Sequence, residues 1–223
     1  MADAPADLVR MLLADARLPV AGHTQSGGLE PALRLGLRPD QVPGYIEARL
    51  ATVTRVEAAT SVVALHHLQT GQPLTDVETA WAARTPSPAM RRTSHAQGRA
   101  FLRLVHRLWP QCRGLTSVLA IPRVSRAVAV AVGADAGGLA PDDVARLVGY
   151  DDVQTVAAAA LKLLPLDPAD VAAWVLQALP AVAALAEDVA QLTAPDRIPA
   201  TGAPQIEEWA EAHARTTRRL FSA

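Results

Sequence analysis

The stretch VPGYIEARLATVTRVEAATSVVALHHLQT, residues 42–70, decides the fold class. Its apolar residues recur every three or four positions, which is the spacing of one face of an α-helix. The residues that mark this stripe are Ile46, Leu50, Val53, Val56 and Val63. Gly71 and Pro73 follow in the usual order for the end of a helix. The stretch therefore predicts one long helix over residues 42–70.

The same periodicity continues on both sides of this stretch. It predicts further helices over residues 6–16, 29–35, 74–84, 89–109, 123–134, 141–164, 169–192 and 204–220. Half of the 223 residues are apolar but only 4% are aromatic, so alanine, leucine and valine must fill the core. Small side chains favour close helix packing, and the alternating pattern of β-strands is nearly absent. The sequence predicts an all-α, single-domain bundle of roughly eight to ten helices.

A break in the helical pattern near the end of the chain suggests how the domain is organised. Residues 193–203 contain Pro195, Pro199 and Gly202, and prolines remove backbone donors and interrupt helices. We therefore expect a helical bundle over residues 1–192, a linker over 193–203, and a C-terminal helix with a partner-binding tail over 204–223.

Charge and composition narrow the class of protein. The formal net charge is −1, so the whole molecule has no electrostatic bias toward nucleic acid or acidic membranes. No uninterrupted apolar run reaches the ~18 residues of a membrane span, and the N-terminus lacks the basic region of a secretion signal. The single cysteine, Cys112, excludes an internal disulfide and fits a reducing compartment. These features predict a cytoplasmic protein with no nucleic-acid or membrane partner.

The sequence contains few residues that could form a nucleotide, anion or metal site. The only lysine, Lys162, follows a leucine rather than a glycine, which excludes a P-loop nucleotide site. Ser26-Gly27-Gly28 could hold an anion through backbone N–H groups, but a tight loop before a helix is the simpler interpretation. His66 and His67 are adjacent on a helix, so their side chains diverge and do not chelate together. We expect no catalytic residues, no cofactor and no metal site.

Basic residues follow one side of the predicted helix 89–109, namely Arg92, His95, Arg99, Arg103 and Arg107. A stripe of this kind is most often a solvated helix face. The alternative is a docking surface for an acidic partner. Because no aromatic residues are interleaved with the arginines, the stripe is a poor platform for nucleic acid.

Three segments carry a resemblance to a known family. The first holds the matching residues Pro19, Val20, Gly22, Ser26, Gly28, Leu29 and Glu30. The second holds Arg91, Ser94, Gly98 and Leu102, and the third holds His213, Arg219, Leu220, Phe221 and Ser222. In their order and spacing they resemble the UreF family of urease accessory proteins, in its actinobacterial form. His23 and Gln25 stand where the family usually has aromatic residues.

The resemblance implies an all-α homodimer that acts as a chaperone rather than an enzyme and has no cofactor of its own. It implies binding to UreD (also called UreH), recruitment of the GTPase UreG, and docking on urease apoprotein for nickel insertion, with part of the nickel route lined by this protein. Ser26, Gly28 and Glu30 are then expected to face the GTPase or the dimer. Arg91 and Gly98 are expected to serve the dimer or the UreD contact. The tail residues His213, Arg219, Leu220 and Phe221 are expected to engage UreD.

Two other classes stay open from the residues alone. One is a helical binding module that acts on another GTPase or protein partner. The other is a helical enzyme with a histidine site, for which a ligand at His95 would be the sign.

Overall fold

The computed structural model describes residues 4–20, 24–216 and 220–221. The α-helices are α1 (Ala6–Leu13), α2 (Leu29–Arg34), α3 (Val42–Ala51), α4 (Val53–Thr70), α5 (Leu74–Arg84), α6 (Pro88–Leu108), α7 (Arg113–Ser117), α8 (Arg126–Ala136), α9 (Pro141–Leu163), α10 (Pro168–Val189) and α11 (Pro204–Ala214). Two single 3₁₀ turns, Pro39–Gln41 and Pro195–Arg197, join them. The described ranges contain no strand, and the predicted all-α class is confirmed.

The centre of the bundle is α8. Every residue from Ala127 to Ala134 is buried, because α4 and α6 pack on this helix along its length. These residues are alanines, valines and one glycine, so neighbouring backbones can approach closely. On the far side of α4 lies α9, which pairs with α10, and the alanine-rich segment of α9 is largely buried. The core is thus built from small side chains on helices, as the composition predicted.

The predicted single helix over residues 42–70 is wrong at one residue. Thr52 has φ −124° and ψ −98°, which lies outside the helical region, so α3 ends at Ala51 and α4 begins at Val53. The Thr52 hydroxyl donates to the Ala48 carbonyl at 2.6 Å, a local bond that competes with helix geometry. The Thr52 carbonyl in turn accepts from the Thr201 hydroxyl at 3.0 Å. The helix is therefore interrupted at Thr52, where a contact distant in sequence holds the carbonyl, although periodicity alone continues it.

The last helix is also shorter than predicted. It ends at Ala214 rather than at residue 220, and turn hydrogen bonds from Arg215 to Ala212 and from Thr216 to His213 close it. The segment before it packs on the bundle: Ile198 is buried, and its carbonyl accepts from Arg84 at 2.6 Å. The division into bundle, linker and tail stays a prediction.

Helix α10 presents apolar side chains to solvent, as α1 does with Leu8, Met11 and Leu12. On α10, Leu176 is 68% exposed and Leu179 is 39% exposed. Among the described residues α10 is also the helix that is long and apolar enough to cross a membrane by length and composition, with 28% of its most apolar window buried.

Candidate partner-binding site

The end of the chain returns to the start of α2. Both carboxylate oxygens of Glu30 accept hydrogen bonds from the tail backbone: Oε1 from the Leu220 N–H at 2.9 Å and Oε2 from the Phe221 N–H at 2.9 Å. The Arg34 guanidinium lies 2.8 Å from Oε1 on the same helix. We call Glu30, Arg34, His213, Leu220 and Phe221 the tail clamp. Hydrogen bonds to an ionised acceptor are stronger than neutral ones, so a charged side chain fixes an otherwise free chain end.

A buried histidine, His213, contacts both the tail and Glu30. His213 is 1% exposed, and its Nε2 lies 3.2 Å from the Phe221 carbonyl oxygen and 3.8 Å from Glu30 Oε2. A carbonyl oxygen only accepts, so Nε2 carries the proton in this contact. The other ring nitrogen, Nδ1, is buried with no hydrogen-bond partner among the described residues. The ring thus fixes the tail carbonyl while Glu30 fixes the tail N–H groups.

The two tail side chains point in different directions. Phe221 is 4% exposed and joins the hydrophobic core, and the Lys162 ammonium lies 5.3 Å from its ring centroid. Leu220 is 64% exposed. The tail clamp therefore anchors the chain end by one aromatic side chain and presents the neighbouring leucine to solvent.

The loop before α2 is shaped to place Glu30 in the first helical turn. Gly28 has φ +79°, a backbone region that favours glycine, and a Cβ there would lie 2.7 Å from the Tyr45 hydroxyl. That hydroxyl donates to the Gly27 carbonyl at 2.7 Å. Ser26 is fully buried, and its hydroxyl oxygen lies 3.4 Å from the Glu30 N–H that donates to it. The Ser-Gly-Gly sequence is thus a tight structural loop.

Six of the residues that the sequence singled out meet in this region: Ser26, Gly28, Glu30, His213, Leu220 and Phe221. Two others, Arg91 and Gly98, lie on α6 in another part of the fold. Arg91 on α6 donates to the carbonyls of Thr85 at 2.5 Å and Pro86 at 2.9 Å. Arg219 lies outside the described residues.

Gly98, also on α6, faces the segment that leads into α8. A Cβ on Gly98 would overlap the Val124 carbonyl oxygen and the Ser125 backbone. One turn earlier, the Ser94 hydroxyl accepts from the Arg126 N–H at 2.9 Å. The second motif therefore joins α6 to the start of α8 inside this chain.

Sequence reasoning missed a buried charge network beside the loop. Arg49 makes a two-pronged pair with Asp152, Nε to Oδ2 at 2.9 Å and Nη2 to Oδ1 at 2.5 Å, and the Thr54 hydroxyl donates to the same carboxylate at 2.8 Å. Arg126 pairs with Asp151, the neighbouring residue on α9. These groups line a cavity of about 150 Å³ that reaches Gly27 and Gly28.

A further carboxylate, Glu57, lines the same cavity and makes no ion pair within the described part of the chain. It accepts from the Trp81 indole N–H at 2.6 Å. Burial raises the pKa of Glu57 above its ordinary value, and the nearby Arg126 charge offsets only part of that effect. Burial also tends to raise the pKa of Asp152, but the Arg49 charge and hydrogen bonds outweigh it and leave that pKa lowered. The cavity is thus lined by four carboxylates and three guanidinium groups, namely Glu57, Asp151, Asp152 and Glu207 with Arg49, Arg84 and Arg126.

The sequence contained a weak signal of this network. Arg49 lies one turn after Tyr45 on a helix whose buried face is otherwise apolar, and Asp151-Asp152 interrupts the apolar pattern of α9. Charged residues on a buried helix face are rare unless they are paired. Pairing them, however, requires knowing that α3 and α9 are neighbours, which the spacing within either helix does not give.

Two further histidines, His67 and His95, make contacts within the fold. His67 is buried with Nδ1 2.9 Å from the Pro73 carbonyl oxygen, and His95 Nε2 lies 3.3 Å from Glu78 Oε1. Within the described ranges no group of three or more His, Cys, Asp or Glu side chains is placed to hold a metal ion.

Comparison with known proteins gives one consistent result. Residues 38–179 match the family model described as UreF. The chain is 37% identical over 221 residues to "Urease accessory protein UreF" of Mycolicibacterium vanbaalenii, with 95% of this chain and 96% of that protein covered. It is 38% identical over 214 residues to the protein of the same name from Mycobacterium sp. (strain JLS), with 95% and 96% covered. A relative of that name from Mycobacterium tuberculosis is 34% identical over 215 residues, with 96% and 97% covered.

Proposed function

The chain belongs to the UreF family of urease accessory proteins, which are chaperones rather than enzymes, and on this basis we propose that it supports nickel insertion into urease apoprotein. Its direct partners in this proposal are UreD (UreH) and the GTPase UreG. An adaptor needs only to bind the states of a GTPase with different affinities in order to bias its cycle. It acts in the cytoplasm, and nickel is cargo rather than a resident cofactor.

The observation that carries the proposal is the tail clamp. The first and third segments that resemble the family are 190 residues apart in sequence, yet Glu30 accepts hydrogen bonds from Leu220 and Phe221. A buried carboxylate that holds a chain end in one conformation favours a preorganised binding surface, because less conformational entropy is lost when a partner binds. We propose that UreD binds this end of the molecule, with Leu220 as an exposed contact and Glu30 and His213 as positioning residues.

The remaining residues of the first two motifs have roles consistent with this picture. Ser26 and Gly28 shape the loop that supports Glu30, and the surface around that loop is the proposed GTPase side. Arg91 and Gly98 shape α6 and its junction with α8. Their contribution to dimer or UreD contacts is then through the position of α6.

A homodimer completes the proposed assembly. Leu176 and Leu179 expose apolar surface on α10, and large exposed apolar side chains on one helix are typical of an interface. We propose this face of α10 as the contact between two copies.

The proposal is tested by urease activation at limiting nickel in cells whose gene for this chain has been replaced by variants. Leu220→Ala changes an exposed side chain, so the variant should keep the melting temperature of the wild type while its co-purification with UreD and urease activity both fall. Phe221→Ala should lower both binding and stability, since it empties a buried position. The matched control is Leu119→Ala, a leucine exposed elsewhere on the molecule. Full urease activity in cells that lack the chain would refute the proposed function.

A further inference from the structure

The charge of this chain is unevenly distributed. Between Glu78 and Asp135 the sequence has nine arginines and no aspartate or glutamate. Because the whole chain has a net charge of −1, the remainder is acidic overall. The acid-free segment comprises α6, α7 and the start of α8. One region of the fold is therefore strongly basic although the molecule as a whole is not.

Some of these arginines form hydrogen bonds or ion pairs with other residues of the same chain. Arg84 and Arg91 donate to backbone carbonyls, and Arg126 pairs with Asp151. Arg99, Arg103 and Arg107 differ from these. All three are exposed on α6, and none makes a hydrogen bond or an ion pair with any residue in the described ranges.

These three arginines form a regular array. They recur every four residues, so they follow one side of α6 over about 12 Å. Together with Leu102 and His106 they line an open groove of about 540 Å³. Leu102 is half-buried and gives the groove an apolar element between the guanidinium groups. We call these five residues the α6 basic groove.

We propose that the α6 basic groove binds an acidic helix of a partner protein, whose carboxylates repeat every four residues. Guanidinium groups pair with carboxylates through two parallel hydrogen bonds, and equal spacing on two helices lets successive pairs form together. Isolated exposed ion pairs contribute little, so specificity comes from the aligned set and from the apolar contact with Leu102. This inference does not depend on the proposed role in urease maturation.

The charge distribution favours a protein segment over a nucleic acid or a membrane. A long polyanion or a lipid surface would extend past the 12 Å array onto the acidic remainder of the molecule, where like charges repel. Apart from the single imidazole of His106, the groove has no aromatic side chain on which a base could stack. A helix with a short acidic face would contact only the α6 basic groove.

The test uses two fluorescein-labelled, alanine-rich helical peptides of about 18 residues, a length at which such helices form in water. One carries three glutamates at successive fourth positions on one face, which span about the same 12 Å as the array, and the other carries the same three glutamates distributed around the helix. Fluorescence anisotropy with the full chain should show at least fivefold tighter binding of the aligned peptide. Binding should weaken as salt rises from about 50 to 200 mM, because exposed charges are screened.

The variant Arg99→Glu/Arg103→Glu/Arg107→Glu should weaken binding of the aligned peptide at least tenfold, and the neutral triple glutamine variant should show an intermediate loss. The control Arg17→Glu/Arg38→Glu/Arg197→Glu changes the net charge equally at exposed arginines outside α6 and should keep most of the affinity. Melting temperatures establish that each variant is folded. The proposal would be overturned if the two peptides bound equally well, or if both charge-reversal variants lost affinity equally. It would also be overturned if duplex DNA or phosphatidylserine vesicles bound more tightly than the aligned peptide.

Discussion

At the scale of single residues, Glu30 shows how burial changes the role that a sequence motif suggests. An acid in the first turn of a helix is expected to be exposed and to interact with the helix dipole. Here the side chain is 2% exposed, and the Arg34 guanidinium and two tail N–H groups surround its carboxylate. Its contribution is therefore to the position of the chain end.

Replacing Glu30 with glutamine tests that role. Glutamine keeps the shape but presents an NH₂ group to one of the two tail N–H donors, so one hydrogen bond is lost and the other is no longer to a charged acceptor. Bonds to a charged group contribute about 1.5–3 kcal/mol each, so amide hydrogen exchange at Leu220 and Phe221 should accelerate by about 10 to 100-fold. Mass spectrometry of the C-terminal peptide measures this rate. Glu208→Gln, an exposed position on α11, should leave it unchanged; equal protection in Glu30→Gln would contradict the tail clamp.

Two partly buried carboxylates around the cavity, Glu57 and Asp152, should make the stability of the fold depend on pH in opposite directions. The pKa of Glu57 is raised in the folded state, so the wild type loses stability as pH rises from the ordinary value of 4.5 through the raised one. Glutamine at that position cannot ionise and still accepts from Trp81. The stability of Glu57→Gln relative to wild type should therefore increase with pH, as measured by urea unfolding across a pH series.

Asp152 should behave in the opposite way. Its pKa is lowered by Arg49, so its ionised form stabilises the fold above the ordinary carboxyl pKa, and this contribution is lost as pH falls through the lowered pKa. Asp152→Asn should be destabilised near neutral pH, and the difference from wild type should shrink in acid. Parallel pH curves for the Glu57 and Asp152 variants would show that the assigned charge states are wrong.

At the scale of helices, the sequence was informative where a segment's own pattern controls its structure. Periodicity located α5, α6, α9 and α10 because each buries one continuous face. It failed at Thr52, where the backbone leaves the helical region and the carbonyl accepts from the distant Thr201 hydroxyl. It also continued the last helix past Ala214, since the competing hydrogen bonds to Glu30 come from the opposite end of the chain.

Gly98 permits a prediction at this scale. A glycine in the middle of α6 lowers helix stability relative to alanine, yet a methyl group there would overlap the backbone before α8. Gly98→Ala should cost about 1–3 kcal/mol, because overpacking outweighs the gain in helix propensity. Gly44→Ala in α3, where nothing lies within 4 Å of the added carbon, should be neutral or stabilising by up to about 1 kcal/mol. Urea unfolding compares the two, and equal stability of both variants would contradict the close α6–α8 contact.

At the scale of the whole molecule, motifs that lie far apart in the sequence can meet in the fold. Ser26, Glu30, His213 and Phe221 were singled out from two distant segments, and the fold brings them together in and beside the tail clamp. The pairing of Arg49 with Asp152 depends instead on the packing of α3 against α9. Local spacing carries no information on such contacts, so the cavity and its unequal charges emerge only from the assembled bundle.

The exposed apolar face of α10 leads to a prediction about assembly. A bundle with Leu176 68% exposed to water gains free energy by burying that side chain against a second copy, and a twofold contact would present the same face from both chains. Sedimentation velocity should show a dimer for the wild type and a monomer for Leu176→Asp. The melting temperature of the variant monomer should stay close to that of a wild-type sample diluted until it dissociates, because residue 176 contributes little to the monomer core.

Leu119→Asp, at a leucine that is 81% exposed after α7, provides the matched control and should remain dimeric. A wild type that sediments as a monomer at micromolar concentration, or a Leu119 variant that dissociates to the same extent, would rule out α10 as the contact between two copies.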